Sequence, residues 1–439
     1  MSVIPGHEDW LASPGRALGG ELCVPGDKSV SHRAVMLGAL ADGTSRIEGF
    51  LEGEDTRATA AAFTAMGVKI EAPSDGVRLV HGVGLHGLSV PAQPIDCGNA
   101  GTGMRLLTGL LAAQRFDSVL VGDASLSRRP MRRVIEPLTA MGARIESQGN
   151  GLPPLRIHGR KVLQGIDYSL PVASAQVKSA LLLAGMYAQG ETVVREPHPT
   201  RDYTERMLAT LGWPIDFSPG IARLSGGYRL TAADIMVPAD FSSAAFFLVA
   251  ATLVPGSDLI LRGVGINLRR TGLLQALGLM GANITVLDAR NEGGEPVADL
   301  HVRHAPLTGI DVPQALVPDM IDEFPILFVA AAAAQGVTRV SGAAELRVKE
   351  SDRIAVMATG LRALGVRIDE TPDGAVIHGG RIGGGMIDSQ GDHRIAMSFV
   401  IAAQRAASPV RIQDCANVAT SFPGFLSLAD GLGLGVKII

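Results

Sequence analysis

Residues 64–70 read TAMGVKI and residues 139–145 read TAMGARI. Near-identity over seven residues within one chain is a repeat signal, and repeats are best sought before anything else is assigned. Four further segments end in the same way: RMLATLGWPI, LQALGLMGANI, GLRALGVRI and LADGLGLGVKI. Their last isoleucines, from Ile70 and Ile145 through Ile215, Ile284 and Ile368 to Ile438, recur roughly every 70 to 85 residues, longer than solenoid periods. Each ending predicts an amphipathic helix stopped by glycine and followed by a short apolar strand.

Upstream of each ending a second pattern recurs. HRAVMLGALADGTSRIEG, GMRLLTGLLAAQRFDSVLVG and SALLLAGMYAQGETVVRE each predict a small-residue helix, a turn and a strand. AAFFLVAATLVPGSDLILRG, PILFVAAAAAQGVTRVSG and IAMSFVIAAQRAASPVRIQD repeat that order in the second half. Six such units predict two similar α/β domains of three units each. The passage LCVPGDKSVSHRAVML near residue 25 resembles IMVPADFSSAAFF near residue 240, so the chain is expected to cross twice between the domains. One domain then comprises residues 27–240 and the other is discontinuous, 1–26 plus 241–439.

The composition limits the function. At 439 residues the chain exceeds one compact core, and 46% hydrophobic with 19% charged residues describes a globular protein. A net charge of −4 gives no general attraction to nucleic acid or to an anionic membrane. Cys23, Cys97 and Cys415 are widely spaced and odd in number, which excludes a disulfide framework and fits a reducing, cytoplasmic setting. The opening MSVIPGHEDW lacks the basic and apolar regions of a signal peptide, and LFVAAAAAQG is too short to span a bilayer.

Against this background, polar residues gather where the first helix of each unit begins. Those starts read Lys28-Ser29-Val30-Ser31-His32-Arg33, Asn99-Ala100-Gly101-Thr102-Gly103 and Ser174-Ala175-Gln176. In the second half they read Asp240-Phe241-Ser242-Ser243, Asp322-Glu323 and Gly391-Asp392-His393-Arg394. A helix start offers free N–H groups to phosphate or carboxylate. Asp240, Ser242 and Ser243 are accounted for as ordinary caps. Capping does not account for Lys28, Arg33 and Arg394, because cations there oppose the helix dipole; they predict a bound anion. GDASLSRRPMRRV adds arginines at 128, 129, 132 and 133, and ELRVKESDR adds Lys349, Glu350 and Arg353, with Lys349 and Arg353 spaced to share one helical face.

Other motifs fail. GVGLHG at 82–87 matches a dinucleotide-binding glycine pattern, but LSVPAQP follows where a helix is required. GDKS lacks the glycine spacing of a P-loop. The histidines form no H-x-x-x-H pair, so no protein-held metal is expected. Cys97 reads as a small buried thiol.

Taken in order, GDKSVSHR, GNAGTGMR, GDASLSRRPM, SAQVKSALLLAG, RVKESDR and GDHRIAM resemble the 5-enolpyruvylshikimate-3-phosphate synthase family over nearly the whole chain. The resemblance implies two domains of three βαβαββ units each, an inside-out α/β barrel-like arrangement joined by two crossovers, with the active site in the interdomain cleft. It implies transfer of the carboxyvinyl group of phosphoenolpyruvate to the 5-hydroxyl of shikimate 3-phosphate, without a cofactor. Lys28, Ser29, Arg33, Ser174, Ala175, Gln176, Arg201, Asp322 and Lys349 would then bind shikimate 3-phosphate. Lys28, Asn99, Gly101, Arg129, Gln176, Arg353 and Arg394 would bind phosphoenolpyruvate. Asp322, Glu350 and Lys28 would carry the proton transfers, with Asp319 and Glu323 competing for the role of Asp322. Glyphosate would occupy the phosphoenolpyruvate subsite, where Gly101 stands in place of the alanine of tolerant relatives. The protein is expected to act as a monomer.

Two departures separate it from one branch of the family. NVATSFPGF has no lysine, and Glu345 or a neighbour replaces an asparagine. These and SAQ in place of SSQ resemble the other main bacterial branch. The sister enzyme acting on UDP-N-acetylglucosamine carries a loop cysteine where this chain reads GDASLSRRP. A non-catalytic anion-binding protein is the remaining alternative, and the acid/base set argues against it.

Overall fold

A computed structural model describes residues 8–159 and 162–439, so the start of the chain that was read for a signal peptide lies largely outside the described residues. Twelve α-helices are present among them. In chain order these are α1 (Lys28–Leu40), α2 (Glu54–Ala65), α3 (Gly101–Ala112), α4 (Arg132–Ala140), α5 (Ala175–Gly185) and α6 (Tyr203–Thr210). The second half contributes α7 (Phe241–Leu253), α8 (Gly272–Leu279), α9 (Phe324–Ala333), α10 (Arg353–Ala363), α11 (His393–Ala403) and α12 (Phe425–Gly431). The strands form six small sheets, and the chain divides into two compact units. One comprises Met1–Pro25, Ala239–Arg290 and Pro296–Ile439; the other comprises Gly26–Pro238 and Asn291–Glu295.

The repeated helix stop has one cause in all six places. After α2, Gly67 takes φ 91°, and the Val68 N–H turns back onto the carbonyl of Phe63 at 3.0 Å. Gly142 repeats this with φ 98°, and Ala143 N–H bonds the carbonyl of Leu138 at 3.0 Å. A side chain is disfavoured in that left-handed conformation, and the bond satisfies a carbonyl that the ending helix leaves open. Gly212, Gly281, Gly365 and Gly433 end the even-numbered helices of the other four repeats in the same way. Each turn then feeds an antiparallel strand pair.

Three sheets belong to each unit, but the chain fills them with segments distant in sequence. Strand Trp10–Ser13 pairs on both sides with the last two strands of the protein, and Gly19–Leu22 lies parallel to Asp258–Gly265. Residues 230–236 return to lie parallel to Ala41–Glu48. The resulting architecture is the two-domain α/β fold of repeated βαβαββ units.

Within each unit the odd-numbered helices are the centre. All thirteen residues of α7 are buried, as are eleven of thirteen in α1 and nine of ten in α9. A helix apolar on every side has no solvent face and must be enclosed, here by its sister helices and the sheets. Small residues allow close approach: a Cβ placed on Gly109 of α3 would lie 2.1 Å from the carbonyl oxygen of Ala180 in α5.

Replacing Gly109 by alanine therefore drives α3 off the α5 backbone. The overpacking outweighs the helix-propensity gain of about 1 kcal/mol, leaving a net loss on the order of 2 kcal/mol. Gly278→Ala in α8, where nothing lies within 4 Å, is the control and should be neutral or stabilising. Urea unfolding of both variants measures the contrast.

Candidate active site

The three central helices of the unit built on Gly26–Pro238 bring their N-terminal turns together. Asp27 caps α1, accepting from Val30 N–H at 2.9 Å, and Ser174 caps α5, accepting from Val177 N–H at 3.3 Å. Lys28, in the first turn of α1, forms an ion pair with buried Asp55 of α2. Arg33 is buried, and its guanidinium donates to Thr204 Oγ1 at 2.7 Å, Ser179 Oγ at 2.8 Å and the Ser29 carbonyl at 3.0 Å. Burial, and after it the nearby charge of Arg201, pull the Arg33 pKa down to about 10. The Arg201 guanidinium thus lies near enough to Arg33 for their like charges to oppose each other.

Beside them, Gln176 of α5 accepts from Arg105 Nη1 and donates to Thr102 Oγ1, both at 2.8 Å, tying α5 to α3. Arg129 donates to Asn99 Oδ1 at 2.7 Å, and Asn99 donates in turn to Asp123 at 2.7 Å. Of the arginines in SRRPMRR, Arg129 thus turns inward while Arg132 pairs with Glu136 on the surface. A methyl on Gly101 would lie 3.1 Å from Arg105 Nη1 and 3.2 Å from Arg129 Nη1. Gly101 therefore keeps open the ground between two guanidiniums. The loop carrying Arg201 is held from beneath: Lys178 binds Glu196 and Glu205, each at 2.8 Å, and Glu196 accepts from Thr200 N–H at 3.2 Å. Burial opposes the charge on Lys178, but the two carboxylates outweigh it and raise its pKa, while burial raises that of Glu205.

The other unit gathers carboxylates and cations in the same structural place. Of the three acids in PDMIDEFP, Asp319 is buried against Arg269, and Glu323 is fully buried and bonded to Ser242 Oγ. Asp322 alone keeps partial exposure, 16% of its side chain, with Arg270 at 3.1 Å, Arg353 at 3.8 Å and Lys349 at 3.9 Å. Arg394 Nη1 donates to the Asp322 carbonyl at 3.1 Å. Arg353 is buried, donating to Glu350 at 2.6 Å and to Asp392, the cap of α11, at 2.8 Å. Burial works against the charge of Arg353, but Asp392, Glu350 and Asp322 outweigh it and raise its pKa.

Two expectations need correction. Lys349 and Arg353 do not share a helical face: Lys349 ends a short 3-10 helix (Ala344–Val348), and Asp352 caps a new helix that begins at Arg353. Ser242 is not an ordinary cap, because its hydroxyl joins Glu323 to Arg270; Asp240 is the residue that caps α7. The segment without lysine, NVATSFPGF, places Phe422 and Phe425 against Phe247 in the core. Cys97 is buried, which pushes its thiol up to about 12. Among the described residues, no group of three or more His, Cys, Asp or Glu could hold a metal. No helix among them is long and apolar enough to cross a membrane.

Arg105 and Arg270 did not stand out in the sequence. The signal for Arg105 was its position one helical turn beyond Gly101 in GTGMR. Arg270 had none, since LRRTG reads as any basic helix approach.

The family model for EPSP synthase (3-phosphoshikimate 1-carboxyvinyltransferase) matches residues 12–428. The chain belongs to this family. It is 70% identical over 430 residues to the 3-phosphoshikimate 1-carboxyvinyltransferase of Xanthomonas campestris pv. campestris (strain B100), covering 98% of each chain. It is also 70% identical over 428 residues to the enzyme of the same name from Xanthomonas axonopodis pv. citri (strain 306), covering 98% of this chain and 97% of that one. An EPSP synthase structure from Acinetobacter baumannii superposes with a TM-score of 0.90 at 52% identity, covering 98% of this chain and 100% of that chain.

One buried group gives the cation cluster a pH signature. His32 of α1 is fully buried, with Nδ1 2.8 Å from Thr59 Oγ1, and burial followed by Lys28 and Arg33 lowers its pKa well below 6.5. Above pH 6.5 it is neutral folded or unfolded and adds no pH dependence. As pH falls below 6.5 the unfolded chain takes up the proton first, so stability falls by up to about 1.4 kcal/mol per pH unit. His32→Gln should remove this share of the acid loss, read as a flatter plot of unfolding free energy between pH 6.5 and 5.

Proposed function

We propose that this chain transfers the carboxyvinyl group of phosphoenolpyruvate to the 5-hydroxyl of shikimate 3-phosphate and releases phosphate. The observation that carries the reading is Asp322, a part-exposed carboxylate set among Lys349, Arg353 and Arg270 in a member of this family. Each substrate brings a carboxylate and a phosphate, the latter worth about −1.5 to −2 charges. Lys28, Ser29, Arg33, Ser174, Ala175, Gln176, Arg201, Asp322 and Lys349 serve shikimate 3-phosphate. Lys28, Asn99, Gly101, Arg129, Gln176, Arg353 and Arg394 serve phosphoenolpyruvate. The clusters lie in separate units, and we assign them to one reaction completed when the bound substrates draw both into use. The three cysteines, none of them in a disulfide, support the reading of a cytoplasmic protein; we propose that it acts as a monomer.

The chemistry is addition followed by elimination. The 5-hydroxyl loses its proton to Asp322 as its oxygen bonds to C2 of phosphoenolpyruvate, and the methylene carbon gains a proton from Glu350. Lys28 shares in proton transfer. The methyl group of the tetrahedral intermediate then returns a proton to the Glu350 carboxylate, the double bond reforms, and the C2–O bond to phosphate breaks. Arginines stabilise the charge on the departing phosphate.

A phosphate-release assay offering shikimate 3-phosphate or UDP-N-acetylglucosamine as acceptor tests the reading; release with the sugar nucleotide alone overturns it. In the same assay Asp322→Asn should lower kcat by roughly 100-fold or more with little change in KM for shikimate 3-phosphate, as expected for removal of a proton acceptor. Arg201→Ala should instead raise that KM. Equal effects of both variants on KM would remove Asp322 from the chemical step.

Glyphosate should inhibit in competition with phosphoenolpyruvate. Gly101→Ala places a methyl against Arg105 and Arg129, so both guanidiniums must shift by a few tenths of an ångström. The longer inhibitor tolerates this less than the substrate, a difference of about 1 to 3 kcal/mol for one such group. The glyphosate inhibition constant should therefore rise by a larger factor than KM for phosphoenolpyruvate in steady-state inhibition at several substrate concentrations.

A further inference from the structure

We infer that Arg270 is a positioning residue that orients the carboxylate of Asp322 for proton abstraction, a role that rests on the assignment of Asp322 as the base. Arg270 lies between strand Asp258–Gly265 and α8, in a turn closed by its own N–H donating to the Asn267 carbonyl at 2.8 Å. Its side chain is 6% exposed, so it has no room to swing. Nη1 donates to Asp322 Oδ2 at 3.1 Å and lies 3.4 Å from Glu323 Oε1. Nη2 donates to Ser242 Oγ and lies 3.6 Å from Asp240 Oδ1.

This grip treats the two oxygens of Asp322 differently. Oδ2 is held by a hydrogen bond from a rigid planar donor. Oδ1 is the oxygen that faces Arg353 at 3.8 Å and Lys349 at 3.9 Å, the cations assigned to the substrates. Arg270 also joins the starts of α7 and α9, since Asp240 and Ser242 belong to one and Asp322 and Glu323 precede the other. The direction of Oδ1 is thereby set by two buried helices rather than by a free side-chain torsion. A base displaced by about 1 Å can lose on the order of 100-fold in rate.

The competing account is that Arg270 only neutralises buried Asp240 and Glu323. A double-mutant cycle with Asp322→Asn separates the two, because an action exerted through Asp322 vanishes once that base is gone. Arg270→Gln should lower kcat by about 10- to 100-fold with KM for shikimate 3-phosphate within about threefold. In the Asp322→Asn background the same change should cost no more than about twofold. An equal loss of kcat in both backgrounds, or a rise in KM with kcat intact, overturns the positioning role. If Asp322→Asn alone keeps near-normal kcat, the base assignment fails first and the positioning role with it. Cooperative thermal unfolding shows whether Arg270→Gln folds. Should it not, Arg270→Lys keeps the buried charge but cannot bridge Ser242 and Asp322 together, and the same cycle is read with it.

Discussion

A helix enclosed on every side can present polar chemistry only at its ends. That constraint organises this protein, because the first helix of each repeat is an apolar rod with no solvent face. The flanks of α7 and α9 admit no charge, and those of α1 admit only groups already bonded, such as Arg33 on Ser179 and Thr204. Six repeats therefore offer six N-terminal turns, and the charged residues of the two clusters lie at or beside them. The dipole of each rod and its unpaired N–H groups are directed there as well. One repeated solution to burial thus generates repeated places for anions.

Cations at such places are unfavourable until an anion arrives, and the chain moderates the cost with carboxylates of its own. Lys28 has Asp55, Arg353 has Glu350 and Asp392, and Arg270 has three acids within reach. These partners keep the guanidiniums charged and directed before substrate binds. Burial alone would act against them, as it does on Arg33, whose pKa falls to about 10. Pairing also sorts the acids by function. Asp319 and Glu323 are engaged in buried contacts, whereas Asp322 keeps 16% of its side chain exposed.

Most of the fold was legible because its signals are local and repeated. Glycine at the left-handed stop, the small-residue helices and the Val-Pro-x-Asp passages each have a physical reason visible in a short window. The strand exchanges were less legible: nothing in WLAS predicts pairing with residues 410–412 and 435–438 at the far end of the chain. In the site, residues that oppose the dipole announced themselves, whereas Arg105, Lys178 and Arg270 did not. Each of these three sits in an ordinary helix or turn and acquires its meaning from a partner more than 15 residues away. The spacing of Lys349 and Arg353 misled because Asp352 starts a new helix between them, and a cap overrides periodicity.

The choice of arginine over lysine in both clusters follows from the same economy of position. A lysine end-group offers one charge with no fixed plane, and Lys28 and Lys178 each hold carboxylates from a single nitrogen. An arginine can spend one edge on the protein and keep the other for a ligand. Arg129 gives Nη2 to Asn99 and Ser125 while its Nη1 faces the space kept open by Gly101. Arg353 gives Nε and Nη2 to Asp392 and Glu350 while Nη1 is turned toward Asp322. A donor held by the protein along one edge is already oriented when a phosphate or carboxylate arrives. Little reorganisation is then left to oppose stabilisation of the charge that develops as phosphate departs.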